Sequence, residues 1–127
     1  MCRMCDDPSL TAADLRAEMF ATIEQFGWMI QFVQAEPGFP SFAYTVGLSS
    51  RGLPELHVED MAIQEAGTVL NDLAGQLVEG GLGPCDSVTC SNGHEYLLGE
   101  MVDVSDLLGA LEAYGSRVRA LNASRLR

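Results

Sequence analysis

The stretch that decides the fold reads Phe42-Ala43-Tyr44-Thr45-Val46-Gly47-Leu48. Its aromatic and β-branched residues are typical of a strand in which Phe42, Tyr44 and Val46 share one face. Residues 28–33 have a similar composition, and the two prolines between these segments exclude a continuous ladder. We therefore predict two strands, over residues 28–33 and 41–48, joined by a turn.

Three segments have apolar residues at helical spacing and are predicted to be helices: residues 12–26, 62–78 and 107–121. Thr11 and Asp14 form an approximate capping box at the start of the first helix, and Gly27 follows its end.

Further strands are predicted from alternation and from one turn signal. Residues 55–59 alternate as a half-buried strand, and Asn92-Gly93 favours a two-residue type I′ turn between strands at 87–91 and 94–102. The predicted order is α-β-β-β-α-β-β-α. This order indicates an α+β fold, with a mostly antiparallel sheet of about five strands and the helices packed on one of its faces.

The length of 127 residues fits a single domain over residues 1–127. We divide off an N-terminal arm at residues 1–8, which contains a Cys-x-x-Cys pair, and a basic C-terminal end at residues 117–127. The chain shows neither a signal-peptide core nor an apolar run near the ~20 residues of a membrane helix. We therefore expect a cytoplasmic protein without membrane association.

The charge of the chain is strongly acidic and unevenly spread. The net charge is −11, and all seven basic residues are arginine, which excludes lysine chemistry such as Schiff bases or a P-loop. Acidic chains repel phosphate backbones, so we expect no nucleic-acid binding. Residues 117–127 carry four arginines and no acid. They fit either the last turn of a helix or pairing with the acidic body, in the same chain, a homodimer or a protein partner.

Two cysteines near the N-terminus have the spacing of metal ligands. Cys2 and Cys5 suit zinc or another transition metal, which would require further ligands from elsewhere in the chain or from a second copy. The alternatives are a redox pair or inert thiols. The two-residue turn would put Cys90 and His94 on opposite faces of their hairpin, so Cys90 is predicted to be a small buried hydrophobe.

No catalytic constellation is apparent. The chain has no G-x-S-x-G elbow, no G-x-G-x-x-G and no H-E-x-x-H. His57 is expected to face solvent from its strand, and His94 to be a polar turn residue. Whether the protein is an enzyme is left open by these patterns.

Several motifs carry a resemblance to a known family: Gly27-Trp28, Phe32-Val33, Phe42-Ala43-Tyr44-Thr45-Val46-Gly47-Leu48 and Leu53-Pro54-Glu55-Leu56. The chain resembles a mainly bacterial family called domain of unknown function 4262, over most of residues 1–121. Many actinobacterial members open with a similar Met-Cys-x-x-Cys-Asp, and the lysine-free composition is typical of a high-GC actinobacterium. The resemblance implies no established activity. Members often continue into an aromatic segment that this sequence lacks, which implies a pocket that is open, filled differently or completed by a partner.

Gly47 interrupts a strand pattern and indicates a bend or a close approach of the backbone to a ligand. The bend before the loop at residues 49–54 is one interpretation. The other is a cofactor- or ligand-binding pocket walled by Trp28, Phe42 and Tyr44, with Thr45 and Arg51 as polar contacts.

Three functions follow as alternatives. The first is a binding or regulatory module, with a metal held by Cys2 and Cys5. The second is a small enzyme or accessory protein of bacterial secondary metabolism that uses a small-molecule pocket near Tyr44 and Arg51. The third is a thiol redox or sensor protein.

Overall fold

The computed structural model describes residues 11–126 of the chain. In this range six strands form one sheet: β1 (Met29–Val33), β2 (Phe42–Val46), β3 (Glu55–Glu59), β4 (Ser87–Thr89), β5 (Glu95–Glu100) and β6 (Ala120–Arg125). Three α-helices accompany it: α1 (Ala12–Phe26), α2 (Ile63–Val78) and α3 (Leu108–Tyr114). The capping box of α1 forms as predicted, with Thr11 and Asp14 exchanging hydrogen bonds.

The strands are ordered β1-β2-β3-β6-β5-β4 across the sheet. All neighbouring pairs are antiparallel except β3 and β6, which run parallel with His57 opposite Asn122. The α+β class is confirmed. The prediction of a mostly antiparallel sheet of about five strands is partly right: the sheet has six strands and is mixed, with one parallel pair.

The helices cover both faces of the sheet, which corrects the prediction that they share one face. Helix α2 packs its apolar stripe, including Leu70 and Leu73, on one face. Helices α1 and α3 cover part of the other face, where Ile23 and Ala110 pack around Tyr44. Burial on both faces is why β2 is almost wholly inaccessible from Ala43 to Val46.

The predicted helix over residues 107–121 is wrong in its second half. Helix α3 ends at Tyr114, and Gly115 has a positive φ of 61°, which glycine adopts readily and which ends the helix. A short 3₁₀ turn, Gly115–Arg117, then leads into β6. The leucines of this segment therefore serve two elements, which explains why their spacing indicated a single helix.

The wrong helix prediction over residues 107–121 also led to the interpretation that the basic C-terminal end forms the last turn of a helix. Arg117 lies in the 3₁₀ turn, Arg119 precedes β6, and Arg125 ends that strand, so none complements the dipole of an α-helix. The Cys-x-x-Cys arm falls outside the described residues.

The hairpin between β4 and β5 forms, but its register differs from the prediction. Thr89 pairs with Glu95, and the Cys90 N–H donates to the His94 carbonyl at 3.0 Å. The turn therefore has three residues, with Gly93 at a φ of 85°. Cys90 and His94 lie opposite each other rather than on opposite faces, although Cys90 is buried in the core as predicted.

Candidate functional site

The parallel pair β3 and β6 has two contrasting ends. At the amino end of β3, the Glu55 carboxylate is fully buried and accepts five hydrogen bonds. The donors are the Thr45 and Ser49 hydroxyls and the N–H groups of Gly47, Leu48 and Ser49, at 2.7–3.2 Å. The carboxylate is thus held by dipoles from the end of β2, from Gly47 and from the first two residues of the 3₁₀ helix Leu48–Arg51.

Gly47 is required by this arrangement. Its φ is 134°, and a Cβ there would lie 2.9 Å from Trp28 Cα and 3.0 Å from the Gly27 carbonyl oxygen. The close approach predicted for Gly47 is therefore made to the chain's own backbone, at the junction of α1 and β1, as the strand turns toward Glu55.

The five residues of the predicted pocket lie around this motif on different faces. Trp28 packs on the α2 side and donates its Nε1–H to Asn71, whereas Phe42 and Tyr44 belong to the cluster beneath α3. Thr45 is buried and bonded to Glu55, and Arg51 is exposed. Their binding role stays a prediction.

Tyr44 and Tyr114, in the cluster beneath α1 and α3, are buried to different degrees. Burial raises the pKa of Tyr44, and the hydrogen bond from the Gly109 N–H partly opposes that rise. Burial also raises the pKa of Tyr114, against a hydrogen bond with Ser50, while the charge of Glu55 adds to the rise and Arg117 lowers it. Both phenols are therefore neutral donors and acceptors at physiological pH.

At the carboxyl ends of β3 and β6 the sheet opens into a cleft of about 360 Å³. We call it the carboxylate cleft; it is lined by Glu59, Asp60, Met61, Glu65, Asn122, Ala123, Ser124 and Arg125. Three carboxylates and one guanidinium give this lining a net charge of −2. Ligand sites of open sheets commonly lie at the carboxyl ends of parallel strands.

A chain of hydrogen bonds orders the floor of the cleft. His57 Nδ1 lies 2.8 Å from Asn122 Oδ1, and Asn122 Nδ2 donates to Ser124 Oγ at 2.9 Å. With the amide in this orientation, His57 Nδ1–H donates to Asn122 Oδ1. His57 is 3% exposed beneath Phe42, which corrects the expectation that it faces solvent. Its Nε2 lies 4.0 Å from Glu59 Oε1, so the imidazole and a cleft carboxylate are neighbours.

A second cleft of about 440 Å³ lies between α2 and β4. Three of its polar side chains already have partners: Asn71 accepts from Trp28, and Asp72 accepts from the N–H and hydroxyl of Ser91. Beside it, burial and then the charge of Asp72 raise the pKa of Cys90 to about 11. Cys90 is therefore a thiol rather than a reactive thiolate at neutral pH.

Metal ligands do not cluster in the part of the chain that the structure describes, where no three histidine, cysteine or acidic residues form a possible site. Within the same range, no helix is both long and apolar enough to cross a membrane.

Sequence reasoning missed most of the cleft. Glu55, His57 and Glu59 alternate along one strand, and this spacing could have indicated that they share a face. No local signal marks Asn122 or Ser124, because their segment resembles the continuation of a helix.

Comparison with known proteins identifies a family. A family model described as a domain of unknown function (DUF4262) matches residues 22–123, which include Glu55, His57 and Asn122. No curated protein and no solved structure matches the chain.

Proposed function

This chain belongs to the domain of unknown function family DUF4262, and from its own residues we propose that it is a binding module. The proposed ligand is a small molecule with a guanidinium or ammonium group, and the proposed site is the carboxylate cleft. The observation that carries the proposal is the grouping of Glu59, Asp60 and Glu65 around one cleft at the carboxyl ends of the parallel strands.

The charge of the cleft favours a cation. Glu59 and Asp60 are exposed, and Glu65 is half-buried in the first turn of α2. None of the three has an arginine nitrogen within 4.0 Å in residues 11–126. A bound guanidinium or ammonium group would supply the donors that these carboxylates lack, through charge-assisted hydrogen bonds.

The floor of the cleft favours a polar ligand of defined orientation. Asn122 is held from one side by His57 and from the other by Ser124, so its amide is fixed before a ligand arrives. A fixed polar group loses little conformational freedom on binding. The Ser124 hydroxyl, which accepts from Asn122, keeps its own hydrogen to donate.

Isothermal titration with agmatine tests this proposal, because agmatine carries a guanidinium and an ammonium group. We expect agmatine to bind and 4-guanidinobutanoate, in which a carboxylate replaces the ammonium, to bind more weakly. Glu59→Gln and Asp60→Asn should each weaken agmatine binding about tenfold, the loss expected for one charge-assisted hydrogen bond. Asparagine suits position 60 because it tolerates the φ of 56° found there.

The control is Glu24→Gln, which removes one negative charge from an exposed position on α1. It should leave agmatine affinity unchanged. Equal weakening by Glu24→Gln would mean that agmatine senses only the overall charge of −11. That result, or the absence of agmatine binding, would overturn the proposal.

A metal on Cys2 and Cys5 remains a separate proposal for the same module. It is supported by their Cys-x-x-Cys spacing, which suits two thiolates on one zinc. Elemental analysis of the protein purified without chelators should find stoichiometric metal that Cys2→Ser loses. A metal-free protein would contradict it.

The enzyme and redox alternatives remain predictions. A pocket near Tyr44 and Arg51 has less support than the carboxylate cleft, since Tyr44 is buried and already bonded to Gly109. A redox role would depend on Cys2, Cys5 or the exposed Cys85, because the high pKa of Cys90 disfavours its thiolate.

A further inference from the structure

Three arginines gather at the end of the sheet opposite the carboxylate cleft. Arg51 belongs to the turn that encloses Glu55, and its Nη2 lies 3.2 Å from where a Cβ on Gly27 would be. Arg119 Nη2 donates to the Gly52 carbonyl at 3.0 Å. The Arg117 guanidinium lies 5.9 Å from the centre of the Tyr114 ring.

Among residues 11–126, these guanidinium groups have no anionic partner. In residues 11–126 no carboxylate oxygen lies within 4.0 Å of Arg51, Arg117 or Arg119. Each guanidinium has five N–H donors, and Arg119 uses one of its Nη nitrogens on Gly52. Two acids near these arginines are otherwise engaged: Glu55 is enclosed by its own turn, and Glu112 pairs with Arg16 at 2.6 Å.

An exposed aromatic side chain lies one residue before Gly27, the residue that Arg51 approaches. Phe26 ends α1, directly before Gly27, and is 66% exposed. We call Phe26, Arg51, Tyr114, Arg117 and Arg119 the arginine surface. Aromatic residues and arginine are the types enriched at protein interfaces and at their energetic hot spots.

We propose that the arginine surface binds an acidic segment of a partner protein that also carries apolar side chains. Carboxylates of the segment would pair with the guanidinium groups, which accept a carboxylate in bidentate geometry. An apolar side chain of the segment would cover Phe26, a contact that inorganic phosphate cannot make. Neither of the two clefts described above includes this surface, which fits an extended ligand better than an enclosed small anion.

The acidic remainder of the molecule does not prevent this contact. From Glu55 to Glu59 the strand spans about 13 Å, at roughly 3.3 Å per residue. The Debye length at physiological salt is about 8 Å, so the carboxylate cleft is screened from a short segment at the arginine surface. A long nucleic acid would extend over acidic regions as well, and its binding is disfavoured.

Fluorescence anisotropy with a labelled peptide of alternating glutamate and phenylalanine tests the inference on the full chain. We expect saturable binding that weakens with added salt. Arg51→Gln, Arg117→Gln and Arg119→Gln should each weaken it about tenfold, as for the loss of one charge-assisted hydrogen bond. Phe26→Ala should weaken it as well, through lost apolar contact.

Arg125→Gln is the matched control, since it removes an exposed arginine at the opposite end of the sheet. It should leave the affinity for the peptide unchanged. Three results would overturn the inference: equal weakening by Arg125→Gln, equal binding of the peptide with glutamine in place of glutamate, or equally tight binding of a single-stranded thymidine oligonucleotide. Agmatine affinity should be unchanged in the Arg51, Arg117 and Arg119 variants, which separates this inference from the proposed function.

Discussion

Glu55 and Glu59 begin and end the same strand, yet their carboxylates have opposite environments. Glu55 is fully buried and accepts five hydrogen bonds from residues 45–49. The side chain of Glu59 is 57% exposed at the mouth of a cleft, and its Oε1 lies 4.0 Å from His57 Nε2. The Glu55 carboxylate stabilises the fold through its hydrogen bonds, whereas the Glu59 carboxylate is accessible from solvent.

The comparison also explains the most distinctive motif of the sequence. Residues 42–48 and 53–56 carry the family resemblance, and in the structure they are the strand, turn and carboxylate of one buried network. The turn at Gly47 exists because its N–H groups must point at Glu55. A motif of this kind positions neighbouring groups, such as Arg51, without itself needing to bind anything.

The largest effect should come from removing the buried carboxylate. Glu55→Ala leaves five donors without their acceptor, and we expect it to lower the free energy of unfolding by about 4 kcal/mol. Glu55→Gln keeps the shape but turns an NH₂ group toward donors, and should cost about 2 kcal/mol. Urea unfolding followed by circular dichroism measures both values.

Glu55→Gln keeps this prediction testable if the alanine variant does not fold, since total stabilities are only about 5–15 kcal/mol. An unfolding midpoint of Glu55→Gln equal to that of the unchanged protein would show that the network adds nothing to stability. The two ends of β3 would then not differ in the way described above.

Much of the sheet could be predicted from local sequence pattern, but β6 and its pairing with β3 could not. Aromatic and β-branched composition over residues 41–48 and alternation over residues 55–59 predicted the strands β2 and β3, because both are local properties. Residues 55–58 are all buried, so the strand is not half-buried as predicted. β6 was missed because Leu111, Val118 and Leu121 have helix-like spacing, and only Gly115 signalled the break. Its parallel pairing with β3 joins residues far apart in the chain, which no local pattern encodes.

The same limit applies to the two carboxylates. Nothing near Glu55 or Glu59 in the sequence distinguishes a buried glutamate from an exposed one, because both lie in an alternating strand. The donors to Glu55 come from the preceding strand and turn, and the polar neighbours of Glu59 come from the unpredicted β6. The cleft depends on strand order. The position of Gly47 indicated a bend or a close approach to a ligand, and the structure shows a close approach to the backbone of Gly27 and Trp28.

The smallest change in the free energy of unfolding is expected for Glu59→Gln, and it tests the contrast between Glu55 and Glu59 most directly. Glu59→Gln makes the same chemical change as Glu55→Gln, on the same strand, and should alter the free energy of unfolding by less than about 0.5 kcal/mol. The reason is that an exposed carboxylate 4.0 Å from an imidazole has a weak interaction with it, so removing the charge loses little stabilising energy. Urea unfolding of the two variants side by side provides the measurement. A cost for Glu59→Gln as large as that for Glu55→Gln would mean that the cleft carboxylate is also structural. Its loss of agmatine affinity would then have to be attributed to altered folding rather than to a missing ligand contact.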